Sequence, residues 1–320
     1  MVSNDFEIKR YTPDYAHTWD ALIEQSVNGT FMLKRSFMEY HQDRFDDFSC
    51  LLWKGSKLLA VFVAALPKQR ASNETLIAHP GLTYGGVVTA SSLPYSLLEE
   101  LYGALFSFLK QNSFTSLTIR LVPQAFCKEY SDNTLFVLHK NRCVLANREL
   151  NSVVDLTRPF TIGSRQKNNL RKARKHNVRV ELSERFDIFW QILTDNLWQV
   201  HGVKPVHSLA EITYLRDRHP ENIELYVAQV ENRILAGVVI FKELQKGYVH
   251  SQYISTNAEG RLVGAVDAIL YHVMQQAQAT YQRFSFGIST VKGEVNYGLL
   301  SYKEGFGARG EVVETYTKSL

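Results

Sequence analysis

Two apolar hairpins recur along this chain, and their recurrence constrains the fold more than any other feature. Cys50–Ala65 reads as an apolar strand, a Lys-Gly-Ser turn and a second apolar strand. Tyr226–Phe241 repeats that plan at one constant offset, with Lys57 answered by Arg233, Leu59 by Leu235 and Ala60 by Ala236. The flanks repeat as well. Before the first hairpin, Tyr15, Trp19, Leu22 and Ile23 at helical spacing predict a helix over Asp14–Ser26, and a second helical stretch spans Ser36–Arg44. After it come the glycine-rich Gly81–Gly86, an amphipathic helix over Leu93–Lys110 and a strand over Ser116–Val122 that Pro123 stops. The second hairpin follows helices over Phe186–His201 and Ser208–Arg218. It precedes a strand over Tyr248–Ser255, a helix over Leu262–Thr280 and a strand over Arg283–Phe286. The order helix, helix, hairpin, strand, helix, strand, met twice, reads as an internal duplication. It predicts an α+β fold of mostly antiparallel, mixed sheets flanked by helices. The expected lobes are 1–150 and 151–309. Asn147–Pro159, with Val153, Val154 and Leu156 and little Gly or Ser, reads as a crossing strand rather than a free linker.

A length of 320 residues with 45% hydrophobic content suits two cores. No stretch approaches the roughly 18 apolar residues of a membrane span, the longest candidate being Leu58–Leu66. The start, Met-Val-Ser-Asn-Asp-Phe-Glu, lacks the basic and apolar regions of a signal peptide, so a cytoplasmic protein is expected. Cys50, Cys127 and Cys143 are odd in number and far apart, which fits reduced thiols rather than a disulfide framework or a zinc site, and no metal is expected. Arg165, Lys167, Arg171, Lys172, Arg174, Lys175 and Arg179 carry +7 within a chain of net charge +4, so the remainder is net negative. A local basic segment of this kind argues against a general DNA-coating protein.

Four stretches carry chemistry. In Asn296–Arg309, Lys303 and Glu304 sit in a short predicted helix among Leu299, Leu300, Tyr302 and Phe306, bounded by glycines. A cation in that setting suits an anionic or carbonyl ligand. The basic helix, expected from Ser164 to Asn177, places Arg165 and Lys167 in its first turn, where the helix dipole disfavours cations by a few tenths to about 1 kcal/mol. Arg165, Arg171 and Lys175 are therefore candidate contacts to an anionic substrate, against the plainer reading of a solvated face. On Tyr248–Ser255, alternation puts His250 and Gln252 on one face, and His250, with an ordinary pKa near 6.5, is a candidate general base. His79 and Tyr84 in the first glycine-rich loop are candidate walls of an acceptor site, and His207 is a further candidate substrate contact. Neither a Gly-x-Ser-x-Gly elbow nor a Cys/His pairing suggests a covalent nucleophile, so direct transfer is the simpler chemistry.

The stretch Asn296-Tyr-Gly-Leu-Leu-Ser-Tyr-Lys-Glu-Gly-Phe-Gly-Ala-Arg309 resembles the C-terminal signature of acyltransferases related to the FemAB enzymes, a branch of the GNAT superfamily with two GNAT-like halves. The chain also resembles BioF2-like and Bacteroidota-type GNAT proteins in four further stretches. These are His79–Gly86, Arg165–Lys175, His201–His207 and His250–Arg261. The resemblance implies two tandem GNAT-like lobes, with a last strand within 310–320 returning to the first, and an N-acyltransferase using acetyl-CoA or another acyl-CoA. It implies a CoA pyrophosphate cradle at Gly260, Arg261 and Gly264, with Asn296 as a further cofactor contact, although Val266 stands where the pattern has a small residue. An aminoacyl-tRNA donor, used by FemAB relatives, is the alternative. The acceptor implied is a small amine or a nucleotide-linked sugar of the cell-wall precursor kind. A non-catalytic anion-binding module with the same fold is the third reading.

Overall fold

The computed structural model of the chain describes residues 6–68, 75–291 and 293–320. The leader expectation at Met1–Asp5 lies outside the described residues, as does the side chain of His201. The α+β class with mostly antiparallel, mixed sheets is what the structure shows. The chain divides into two compact units, Met1–Glu149 with Val312–Leu320, and Leu150–Glu311.

In the first unit, helix Ala16–Gln25 buries Trp19, Leu22 and Ile23. The hairpin Cys50–Lys54/Lys57–Val63 is flanked by antiparallel strands Phe6–Arg10 and Gly86–Thr89. Helix Tyr95–Gln111 buries Leu98, Leu101, Tyr102, Leu105 and Leu109 against Leu52, Ala60 and Phe62, so its three-and-four spacing is the core stripe. Ser116–Arg120 pairs antiparallel with Thr315–Ser319 of the last strand. The helix expected over Ser36–Arg44 is only one turn, Arg35–Met38, followed by a 3-10 turn at Glu39–His41. The reason is packing. The Arg35 guanidinium is buried over the rings of Tyr11 and Trp19, at 3.4 and 4.0 Å, and the chain must turn for Phe45–Asp47 to pair with Ala65–Pro67.

In the second unit the strands lie in the order Arg179–Ser183, Ile223–Val230, Arg233–Glu243, Tyr248–Thr256, Arg283–Ile288 and the end of Val144–Asp155. All neighbours are antiparallel except Tyr248–Thr256 with Arg283–Ile288. Helix Ala265–Ala277 buries Ile269, Leu270, Val273 and Met274 on one face of the sheet, with Ala236, Val238, Ile240 and Val249. Helix Phe186–His201 covers the other face, where Phe189 is packed so closely on Gly237 that a Cβ there would run into its ring. The helix expected as one piece over Leu262–Thr280 is broken at Gly264, whose φ of +74° ends Ala258–Val263 and starts Ala265–Ala277.

Bulges recur in the two hairpins. Register shifts between Leu52 and Trp53 in the first hairpin and between Ala228 and Gln229 in the second, next to the pairs Leu52–Ala60 and Ala228–Ala236. A further bulge inserts Gln252 into Tyr248–Thr256, since Val239 faces Tyr253 while Ile240 faces Ser251. Among the described residues no helix is long and apolar enough to cross a membrane. Replacing Gly237 with Ala should overpack the Phe189 contact and destabilise the protein by about 1–3 kcal/mol. The expected readout is a lower denaturant midpoint at an unchanged m value.

Candidate active site

Parallel strands Tyr248–Thr256 and Arg283–Ile288 pair over three residues only, Tyr248 with Arg283, Val249 with Phe284 and His250 with Ser285. Beyond Ser285 the second strand turns away through Gly287, at φ +76°, and resumes pairing on its other side at Ile288 with Asn151. Gly287 is needed there, because a Cβ would sit 3.3 Å from His250 Cε1. The result is a wedge between two strands in the middle of the unit's sheet, where backbone polar groups no longer serve one another and can meet a ligand.

Polar side chains line this seam. Ser285 Oγ donates to Asn151 Oδ1 at 3.1 Å, Asn151 Nδ2 donates to Glu311 at 2.9 Å, and the hydroxyls of Ser152 and Ser289 are 2.9 Å apart. All four of Asn151, Ser152, Ser285 and Ser289 are buried.

Helix Tyr297–Glu304 brings Lys303 to the wedge. Asn296 caps this helix by accepting the Leu299 amide at 3.0 Å, and Lys303 in the last turn is 4% exposed. Its Nζ donates to Gly287 O at 2.9 Å and Ile288 O at 2.6 Å. An ammonium has three N–H groups, so one remains. Among the described residues no carboxylate pairs with Lys303, Glu304 being exposed. Burial lowers its pKa from 10.5 to about 8. His250 lies beside it. Nδ1 of His250 meets Ser285 O at 3.1 Å and Ser285 Oγ at 3.2 Å, and burial, reinforced by the Lys303 charge, pushes the imidazole down to about 4.

That value lies below the ordinary 6.5 on which the general-base expectation for His250 rests. A neutral imidazole of pKa about 4 is a weak base at pH 7, because proton-transfer efficiency peaks when the pKa lies near the operating pH.

The supposed diphosphate cradle also differs. The Gly260 amide is spent on Asn257 Oδ1 at 2.8 Å, and a Cβ on Gly260 would lie 2.8 Å from Leu235 O. The Gly264 amide caps the short helix on Gly260 O, and its open side is taken by Asn169 O of the basic helix, 2.6 Å from where a Cβ would be. Asp267 occupies the first turn of the following helix, accepting Asn169 Nδ2 at 3.1 Å and, at 3.4 Å, the Tyr302 hydroxyl. Burial raises the pKa of Asp267 and, more strongly, that of Tyr302. A helix N-terminus that already holds a carboxyl has little left for a phosphate. Arg261 is bonded to Asn196 Oδ1 instead. Gly260 and Gly264 thus pack closely against Leu235 O and Asn169 O, and Asn296 caps the helix Tyr297–Glu304.

Arg165, Arg171 and Lys175 share the exposed surface of helix Ser164–Lys175, whose buried residues are Gln166 and Ala173. Arg171 bonds Asn168 Oδ1 at 2.7 Å, and the Arg165 guanidinium lies 6.0 Å from the Tyr302 ring. No described carboxylate makes a salt bridge with any cation from Arg165 to Arg179. His79 and Tyr84 belong to the first unit and are buried rather than lining an open wall. The His79 ring is stacked on His41 at 5.2 Å, and the Tyr84 hydroxyl is 3.0 Å from Thr30 Oγ1.

His207 meets Tyr253, a residue that sequence reasoning passed over. His207 Nδ1 and Tyr253 Oη are 2.6 Å apart, and Trp190 Nε1 donates to His207 O at 3.1 Å. Alternation would put Tyr253 across the sheet from His250; the bulge at Gln252 turns it to the same face. Among the described residues no three of His, Cys, Asp and Glu are gathered as metal ligands would be.

The sequence matches no protein-family model and no curated protein. The fold, in contrast, is found in solved structures. FemX superposes with a TM-score of 0.69 at 13% identity, over 98% of this chain and 97% of that one. L-PGS from Bacillus licheniformis gives 0.59 at 13%, over 97% and 93%. A tandem GNAT protein from the clavulanic acid biosynthesis pathway gives 0.53 at 9%, over 98% of each. The chain thus has the fold of FemX and of tandem GNAT proteins.

Lys303→Met should make the pH dependence of stability diagnostic. Between about pH 8 and 10.5 the unfolded chain holds a proton that the folded one has released, so wild-type stability rises with pH through that window. Below pH 8 the buried charge costs up to roughly 3 kcal/mol. The variant should therefore be the more stable protein at pH 7, with the advantage gone by pH 11, as followed by urea unfolding at each pH.

Proposed function

We propose that this chain is an N-acyltransferase that passes an acyl group directly from a donor ester to an amine, and that its donor is an aminoacyl-tRNA rather than an acyl-CoA. The observation that carries the reaction is Lys303. A buried ammonium, fixed by two backbone carbonyls at the mouth of a wedge with one N–H to spare, is a preorganised donor for a developing oxyanion. Such contacts contribute about 2.7–4 kcal/mol of transition-state stabilisation. The amine attacks the carbonyl held in the wedge, the oxyanion forms towards Lys303, and the carrier oxygen leaves with the bonding pair.

Three observations favour the tRNA donor. The amides and open side of Gly260 and Gly264, with Asp267 in the next turn, leave little of a pyrophosphate cradle. Beside them runs an exposed helix whose cations make no salt bridge to a described carboxylate, which leaves them for a polynucleotide backbone. FemX, with a TM-score of 0.69, is matched more closely than the tandem GNAT protein, at 0.53. The acceptor proposed is the amine of a small molecule or nucleotide-linked precursor.

Thermal unfolding with millimolar acetyl-CoA should show no shift, whereas a ligand at 100 times its dissociation constant would add about 2.7 kcal/mol. Glycyl-tRNA should bind with affinity falling steeply in a log–log plot against salt, and Arg171→Ala and Lys175→Ala should each lower that slope by about 1. Lys303→Ala should cut single-turnover transfer by about 10²–10³-fold with tRNA affinity unchanged. A clear melting shift with acetyl-CoA and salt-insensitive tRNA binding would move the donor to CoA; unchanged turnover in Lys303→Ala would remove that residue from the reaction.

A further inference from the structure

An amine that attacks a carbonyl must lose a proton, and His250, held near pKa 4, is poorly suited to take it at neutral pH. A hydrogen-bonded pair on the same face of the sheet offers a different acceptor. Tyr253 follows His250 on that face and bonds His207 at 2.6 Å. The bulge makes this placement possible. It inserts Gln252 as an extra residue and brings Tyr253 onto the face of His250, where Phe241 and Val239 are their partners across the strand pair. Both ends are fixed. The edge of Trp190 packs on Tyr253 with centroids 5.1 Å apart, while its Nε1 holds the His207 carbonyl. Burial raises the Tyr253 pKa to about 12, so the phenol keeps its proton and gains one only as it passes one on.

We propose that Tyr253 and His207 form a proton relay for the acyl-transfer step, an inference that rests on the acyl-transfer reading above. The amine lone pair forms the C–N bond while its N–H proton moves to Tyr253 Oη, and the Tyr253 proton moves to His207 Nδ1. When the carbon–oxygen bond of the donor breaks, the leaving oxygen takes the electron pair and the proton returns to it from His207 through Tyr253. His207 must hold its own proton on Nε2 beforehand, leaving Nδ1 as acceptor.

The test uses the full chain with glycyl-tRNA as donor and hydroxylamine as acceptor. Tyr253→Phe should lower kcat about 10²–10⁴-fold with unchanged tRNA affinity. His207→Asn separates a relay from mere positioning, because its side-chain oxygen can accept the Tyr253 hydroxyl but cannot carry the proton onward. Activity falling as in Tyr253→Phe supports the relay; activity within a few-fold of wild type in either variant overturns it. Nitrogen NMR of the histidine rings reads the pair without turnover. A protonated His207 Nδ1 overturns the relay, and an Nδ1 resonance of an acceptor that shifts in Tyr253→Phe supports it. Should wild type transfer from neither glycyl-tRNA nor acetyl-CoA, the acyl-transfer reading fails, and the NMR result alone decides the pair.

Discussion

An ammonium buried with no described carboxylate beside it is an expensive thing to keep, and the second unit is arranged around keeping one. Desolvation favours neutral Lys303, while the carbonyls of Gly287 and Ile288 accept hydrogen bonds from its Nζ. Those carbonyls are available because Arg283–Ile288 leaves its parallel neighbour after three residues, which a glycine at positive φ permits. Pairing the lysine with a carboxylate would stabilise its charge but quench its field at the wedge. Its isolation therefore leaves the field of the ammonium directed at the wedge.

Around the wedge, polar groups are buried in pairs that satisfy one another. Asn151 joins Ser285 to Glu311, and Ser152 is matched with Ser289. Such a seam is costly wherever a partner is missing and rigid where all are present. The same logic explains the neighbouring helix start, where Asn169, Asp267 and Tyr302 satisfy each other and leave an incoming anion little to displace. In this unit the positive surface lies outside, on Ser164–Lys175, and the buried chemistry lies at the strand junction.

Periodicity exposed what is local. The two hairpins, the helices that bury Trp19 and Ile269, and the placement of Lys303 among apolar neighbours are all written in short-range patterns. Strand register is not. The Gln252 bulge depends on how Val239 and Ile240 meet the next strand, so alternation could group His250 with Gln252 but could not put Tyr253 beside them. The partnership of His207 and Tyr253 spans 46 residues and leaves no periodic trace; the only hint was a histidine just before a capped helix at Ser208. His79 and Tyr84 show a different limit of local reading. A glycine-rich loop suggests an open wall, yet their neighbours cover both rings. At Gly260 and Gly264 the sequence likewise does not show that Leu235 O and Asn169 O lie against the position of a Cβ.

Gly264 also fixes a distance. Because it lacks a Cβ, the backbone of the basic helix can rest against it at Asn169, and Asn169 in turn holds Asp267. Any side chain at 264 would act as a shim, lifting the charged helix off the sheet and tilting its field relative to Lys303. The glycine thus gauges how far the cationic surface stands from the strand junction that holds Lys303.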